Sequence, residues 1–334
     1  MEFSGLLVSI TISTAASLLF AYLLYWFDRY EKEPFPLLCA VFLWGAIVAG
    51  GGAFLINTIL GLSVYLVTGS AIATDLTSSA LIAPFIEEIL KGFAVLLVFI
   101  IFYNEFDSIL DGIVYAGVTA LGFAATENAY YIFTYGFLEG GWQGFWELVG
   151  IRLVMVGWQH PFYTAFFGIG LALARLNRRT FVRVIAPLIG LIAAMSAHAA
   201  HNVLASIFTT TGGMVFTTIL DWLGWLLMLV FILIVTRIER KDLEKYLRDE
   251  VKNGILTGAQ YNIAVSAVKV SLARIRGLFQ GKYKETTRLY RDAAELALKK
   301  KQLARLGEEH GNREAVADLR KRVSALSKSL TIQS

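Results

Sequence analysis

Several apolar windows of about 18 residues or more run through this chain, the first of them from Gly5 to Phe27 without a charge. A window of that length crosses bilayer hydrocarbon as a helix, because the helix satisfies its backbone polar groups internally. The overall content agrees: 56% of the residues are hydrophobic and the mean hydropathy is +0.60, well above that of a soluble domain. The fold class expected is an all-α, polytopic membrane protein. About seven spans are expected, near 4–27, 36–67, 77–102, 109–135, 151–174, 184–208 and 214–236. The opening segment lacks a basic start and a small-residue cleavage site, so it reads as a retained first span. The one cysteine, Cys39, allows no internal disulfide.

Charge divides the chain. Residues 1–236 hold 8 Lys/Arg against 14 Asp/Glu, and residues 237–334 hold 22 against 12. The expected organisation is a transmembrane domain, 1–236, and a basic helical cytoplasmic tail, 237–334. Basic residues cluster in "DRYEKEP" (28–34), at Arg175, Arg178, Arg179 and Arg183, and from Arg237 onward, whereas 68–76, 136–150 and 209–213 have none. Basic loops stay cytoplasmic, which places the N-terminus outside and the C-terminus in the cytoplasm of a multi-pass cell-membrane protein. In the tail, Val268, Leu272, Ile275 and Phe279 fall at i, i+4, i+7 and i+11, and Leu319, Val323, Leu326 and Leu330 repeat that spacing. A helical hairpin packed on itself is expected, broken at "GEEHGN" (307–312). Docking to a membrane surface or a partner is the other reading of these stripes. The tail lacks a nucleic-acid reading motif, and no nucleic-acid partner is expected.

Ionisable and amide side chains inside apolar spans mark functional sites, since each one costs stability unless it is paired. The third span carries Glu87, Glu88 and Lys91, with the lysine placed to reach either carboxylate. Two adjacent acids beside a cation suit a general base. The fourth span carries Glu127 and Asn128. The fifth carries His160, directly before Pro161, with Thr164 one turn on. The sixth carries His198, His201 and Asn202 at i, i+3 and i+4, on one face. Each of these groups could instead be a purely structural hydrogen bond or ion pair between helices. Depth argues for a shared site: at the helical rise, Glu87, His160 and His198 lie about 15 Å from the outer face, with Glu127 near 12 Å and His201 near 10 Å.

Such a layer can activate water in two ways. A carboxylate can act as base while imidazole and amide N–H groups stabilise the oxyanion. Alternatively, His160, His198, His201 and Glu127 can hold Zn²⁺ while another glutamate takes the proton from the attacking water. No HExxH sequence is present, so a metal site has to be assembled from separate helices.

Four stretches in order, "DRYEKEP", "EEILK" (EExxK), "FAATEN" (FxxxEN) and "HAAHN" (HxxHN), resemble the PrsW family of intramembrane proteases, over about residues 1–236. That family is related to CAAX prenyl proteases and bacteriocin-processing proteins. The resemblance implies site-1-type cleavage of membrane-anchored proteins and places Glu87 and Glu88 in the water-activating motif. His198 and Asn202 also satisfy the HxxxN pattern of the prenyl-protease relatives, where the pair stabilises the oxyanion. Glu127 stands where those relatives carry a histidine. The function expected is that of an intramembrane endopeptidase of glutamic or metal-dependent type, in which Lys91 tunes the acid pair, Glu127 with Asn128 supports a histidine or a metal, and the partners are a membrane-anchored protein and the bilayer. An ion-coupled transporter also needs intramembrane Glu and His, but the chain shows no inverted repeat. A membrane receptor signalling through its tail is the third reading.

Overall fold

The computed structural model describes residues 2–308 and 311–332, and within them it is helical without strands. Two compact units emerge. The first comprises residues 1–27, 33–174 and 181–231; the second comprises 28–32, 175–180 and 232–334. Among the described residues, five helical runs are long and apolar enough to cross a membrane: Glu2–Phe27, Phe35–Thr68, Ile109–Arg175, Thr180–Ile207 and Thr211–Lys252.

In the first unit, α1 (Glu2–Phe27) leads to α2 (Phe35–Leu43), a wide π-helical turn (Trp44–Ala49) and α3 (Gly50–Thr68). Short α4 (Ala71–Thr77) precedes α5 (Ala83–Ile101), which carries the EExxK residues. Next come α6 (Ile109–Tyr131), α7 (Leu138–Val149), α8 (Gln159–Arg175) and α9 (Thr180–Ile207). The first part of α10 (Thr211–Lys252) completes the unit.

Helix α6 is the hub. Its small residues allow close approach, and nearly all of it from Leu110 to Ala125 is buried, against α1, α2, the Trp44–Ala49 turn and α5. A Cβ on Gly122 would sit 2.0 Å from the Phe42 carbonyl oxygen, so only glycine permits this crossing. The stripe of α1 that is buried, Gly5, Ser9, Ser13 and Ser17, repeats every four residues for the same reason. "DRYEKEP" contributes to this packing through Glu33, which accepts a hydrogen bond from the buried Tyr115 hydroxyl. A Ser108–Asp111 capping box starts α6.

The structure departs from the expected spans in the middle of the chain. The loop expected at 136–150 is helical on both sides of Gly141, which takes φ +58 and turns the chain back. Gly136 and Gly144 pack backbone to backbone across this hairpin. The fifth expected span, 151–174, is likewise not one helix. A π-helical turn, Gly150–Met155, ends at a break over 156–158, and α8 starts afresh just before His160. Wide turns of this kind re-aim side chains and recur at functional sites.

The second unit takes the end of α10, then α11 (Gly258–Ala264), α12 (Ala267–Phe279), α13 (Tyr283–Leu306) and α14 (Asn312–Ile332). Leu243, Leu247, Leu289, Leu296, Leu319 and Val323 form its core. Gly307 and Gly311 adopt positive φ at the expected 307–312 break, of which Glu309 and His310 lie outside the described residues. Within this core Glu250 is fully buried, paired with Lys300 at 2.6 Å and with Arg320 at 2.9 Å. The two amphipathic stripes of the tail have opposite fates. Leu319 and Val323 on α14 are buried, whereas Val268, Leu272, Ile275 and Phe279 on α12 face outward.

Candidate active site

On α5 the two adjacent glutamates diverge by one helical step, and that step gives them different surroundings. Glu88 points into the protein and is saturated. Its Oε1 accepts from Lys91 Nζ at 2.5 Å and from His198 Nδ1 at 3.0 Å, and its Oε2 accepts from Thr164 Oγ1 at 2.9 Å. Neither Glu88 nor Lys91 exposes any of its side chain. Glu87 lines a polar cleft of about 860 Å³. Its Oε1 accepts from Asn57 Nδ2 at 3.3 Å, while its Oε2 is buried without a partner.

The hydrogen bonds fix the histidine tautomers. Because a carboxylate can only accept, His198 Nδ1–H donates to Glu88, and the lone pair is left on Nε2. That nitrogen lies 3.8 Å from the orphan Glu87 Oε2, too far for a direct hydrogen bond and right for an intervening atom. His160 Nδ1 lies 3.3 Å from Lys91 Nζ, a pure donor, so Nδ1 accepts and Nε2–H donates to Glu127 Oε2 at 2.8 Å. The two imidazole centroids are 5.3 Å apart, and Tyr163 stacks on His198 at 4.9 Å. The structure therefore brings Glu87, Glu88, Lys91, Glu127, His160 and His198 into one cluster drawn from α5, α6, α8 and α9.

The remaining expected residues lie at its edge. Asn128 is buried and accepts at Oδ1 from Arg152 Nε at 2.7 Å, outside the cleft lining. His201 and Asn202 line the same cleft as Glu87 but bond elsewhere. His201 Nδ1 meets Asp221 at 3.2 Å and Gln159 at 2.7 Å, and the Asn202 amide donates to the Ser79 carbonyl at 2.8 Å. Of the expected metal set His160, His198, His201 and Glu127, the structure places His160 and His198 together with Glu87. Among the described residues, the group with its donor atoms within 4.8 Å of one another is Glu87, His160 and His198. Asp221 holds His201 away, and Glu127 is taken by Arg152 Nη2 at 2.5 Å.

Sequence reasoning passed over Arg152, Asp221, Asn57 and Tyr163. For Arg152 and Asp221 the signal was present, since both are ionisable residues within apolar stretches, the same criterion that picked out Glu127. Arg152 also stacks on Tyr131 at 4.2 Å. Asn57, an amide inside the expected span 36–67, meets the same criterion, whereas Tyr163 carries no such signal, because a phenol in a span is commonplace. Tyr163 lines the cleft with its hydroxyl buried and unpartnered.

The donor set fits a divalent ion of the zinc type. Glu87 Oε2 and His198 Nε2 are open toward each other, His160 can join by exchanging one hydrogen bond, and Glu88 bonded to the far nitrogen of His198 is the carboxylate support that ligating histidines usually have.

Comparison with known proteins agrees with this chemistry. Protease PrsW of Geobacillus kaustophilus (strain HTA426) is 33% identical over 109 residues, which cover 33% of this chain and 45% of the relative. Protease PrsW of Clostridioides difficile (strain 630) is 34% identical over 107 residues, covering 32% and 43%. The chain thus matches less than half the length of these curated relatives. No solved structure matches it. The family model described as PrsW family intramembrane metalloprotease matches residues 33–236, well over half of the sequence, and the chain belongs to that family.

Proposed function

We propose that the chain is an intramembrane endopeptidase that hydrolyses peptide bonds of membrane-anchored protein substrates, with site-1-type cleavage near the outer third of the bilayer. The observation that carries this reading is the 3.8 Å gap between His198 Nε2 and Glu87 Oε2 at the wall of a polar cleft, with the proton of His198 held on the other nitrogen by Glu88. A water in that gap meets one proton acceptor and one lone pair.

In the reaction, water oxygen attacks the peptide carbonyl carbon and its proton passes to Glu87 Oε2. Glu87 then returns that proton to the amide nitrogen as the C–N bond breaks. The Tyr163 hydroxyl is the donor for the carbonyl oxygen as it gains charge. Glu88 is a positioning residue that orients His198 and neutralises Lys91. Glu127 orients His160, while Arg152 and Asn128 hold Glu127 in place. His201 and Asn202 shape the cleft beside the substrate. In the metal-dependent alternative Glu87, His160 and His198 would hold a divalent ion, Zn²⁺ by donor type, and Glu87 would then serve as a ligand in place of the proton acceptor. When bound, such an ion supplies Lewis acidity toward a carbonyl oxygen and makes coordinated water more acidic.

The topology proposed is seven spans, with the N-terminus outside and both the 175–183 loop and the tail in the cytoplasm, on the strength of the basic loops. The helical hairpin at Gly141 supports separate fourth and fifth crossings. Two of the three charges on α5, Glu88 and Lys91, pair with each other, which supports a crossing by that helix as well. Residues 1–236 would form the protease domain and 237–334 a cytoplasmic tail.

The test is cleavage by purified full-length protein in liposomes, against a panel of single-span fusion proteins with varied outer juxtamembrane sequences and mass spectrometry of the products. Wild type is expected to cut some members and Glu87→Gln none. Equal cleavage by both, or no cleavage of any member by wild type, would overturn the reading.

A further inference from the structure

Helix α12 has two apolar faces, and only one is used inside its own unit. Val270 and Gly277 face inward, with Thr286 Oγ1 of α13 2.9 Å from where a Cβ on Gly277 would stand. On the opposite side Val268, Leu272, Ile275 and Phe279 fall within an arc of about 60° at 100° per residue. They are exposed, Phe279 to 85% and Val268 to 61%, with Leu278 and Tyr283 exposed beside them. An exposed apolar stripe of this size is costly in water and calls for a cover.

Charge selects the cover. Residues 253–284 contain Lys269, Arg274, Arg276, Lys282 and Lys284 and no Asp or Glu. Lys269 and Arg276 lie along one edge of the stripe, roughly 70–90° from its centre, where their stems can lie along apolar surface and their heads reach a polar layer. Together with Lys282 they also line a cleft of about 970 Å³ next to Leu272. An apolar stripe with cations along one edge and an aromatic at its tip matches the interfacial layer of an anionic bilayer. A protein partner would not require a 32-residue segment free of acids, and a second copy would set these cations against their own kind.

We propose that α12 is a membrane-surface anchor: Val268, Leu272, Ile275 and Phe279 enter the interface of an anionic leaflet, and Lys269, Arg276 and Lys282 engage lipid phosphates. The inference does not depend on the protease reading. It needs only a bilayer within reach of the tail, and α10, which leads into this unit, is itself one of the apolar helices.

The test uses full-length protein with Cys39→Ser and one spin label at Phe279→Cys, in nanodiscs of phosphatidylcholine with or without phosphatidylglycerol. Phe279 is exposed, so the substitution leaves the packing intact. Collisions with oxygen against those with a water-soluble nickel chelate report immersion. A label at Ala325→Cys on α14, an exposed position, is the aqueous control. The 279 label is expected to be oxygen-rich and nickel-poor in anionic discs, while the 325 label stays nickel-accessible. Lys269→Glu with Arg276→Glu should lower the immersed fraction at least about tenfold, since each basic residue near an anionic surface adds about 1 kcal/mol. A 279 label equally nickel-accessible in both lipids overturns the proposal. So does shielding that depends on protein-to-disc ratio, or that persists unchanged in phosphatidylcholine alone, either of which would assign the stripe to a protein contact.

Discussion

His198 Nδ1 and Glu88 Oε1 meet at 3.0 Å across 110 residues of chain, inside a site that excludes solvent from both side chains. This contact turns the free nitrogen of His198 toward Glu87, so the two adjacent glutamates act in sequence: one sets the imidazole and the other faces the cleft.

The division of labour is separable by mutation. Glu87→Gln should cut turnover about 10²–10⁴-fold, the usual worth of a positioned proton acceptor, with little change in unfolding temperature. Glu88→Gln should also cost about 3–5 kcal/mol of stability, because it strands the buried Lys91 ammonium. Adding Lys91→Met should recover part of that stability without restoring activity. Thermal unfolding in detergent and cleavage rates check the three variants, and non-additivity between positions 88 and 91 is expected for a contacting pair.

Metal content is the next measurement. Elemental analysis of protein purified without added metal is expected to find a divalent ion, and the Glu87→Gln and His198→Ala variants should lose most of it. Strong chelators should abolish cleavage and zinc should restore it. Cleavage that survives chelation would assign the chemistry to Glu87 alone.

Close packing at the hub predicts a large effect from one methyl group. Gly122→Ala places carbon 2.0 Å from the Phe42 carbonyl oxygen, with backbone on both sides of the contact. A loss of about 1–3 kcal/mol is expected from overpacking. Gly140→Ala, in open space one residue before the hairpin, should be far milder. Detergent unfolding curves compare the two.

Lys32, in the loop after α1, predicts a pH effect on the second unit. Burial strips water from its ammonium and pushes its pKa down to about 8, against the attraction of Asp28 and with help from Arg274 and Arg29. The unfolded chain therefore binds more protons than the folded one between about pH 8 and the ordinary 10.5. By linkage, the Lys32 contribution to stability rises with pH across that window. Denaturation midpoints at about pH 7.5, below that window, and about pH 9.5, well inside it, should differ more in wild type than in Lys32→Met.

Topology is checked by labelling. In a Cys39→Ser background, single cysteines at Gly140 and Arg179 should react with membrane-impermeant maleimide from opposite sides. Labelling from one side would remove a crossing between them and the seven-span proposal with it.

The sequence by itself determined what depends on local order. Apolar windows pointed to the membrane class, basic loops carry only the expectation of a sidedness, and ionisable residues in costly places picked out Glu87, Glu88, Glu127, His160 and His198. Helical spacing says which residues of one helix share a face, but not what meets that face. The stripes on α12 and α14 have identical spacing, yet one is exposed and the other turned to the core, because only the α14 stripe meets a partner surface in its unit. Arg152 and Asp221 show the same limit: their partners Glu127 and His201 lie on other helices, 25 and 20 residues away. Glu87 and Glu88 are the sharpest case. They are neighbours with the same chemistry, separated by about 100° around one helix axis. Which of them faces the cleft and which is sealed against Lys91, Thr164 and His198 was decided by the packing of α5 against α8 and α9, and by nothing in the order of the residues.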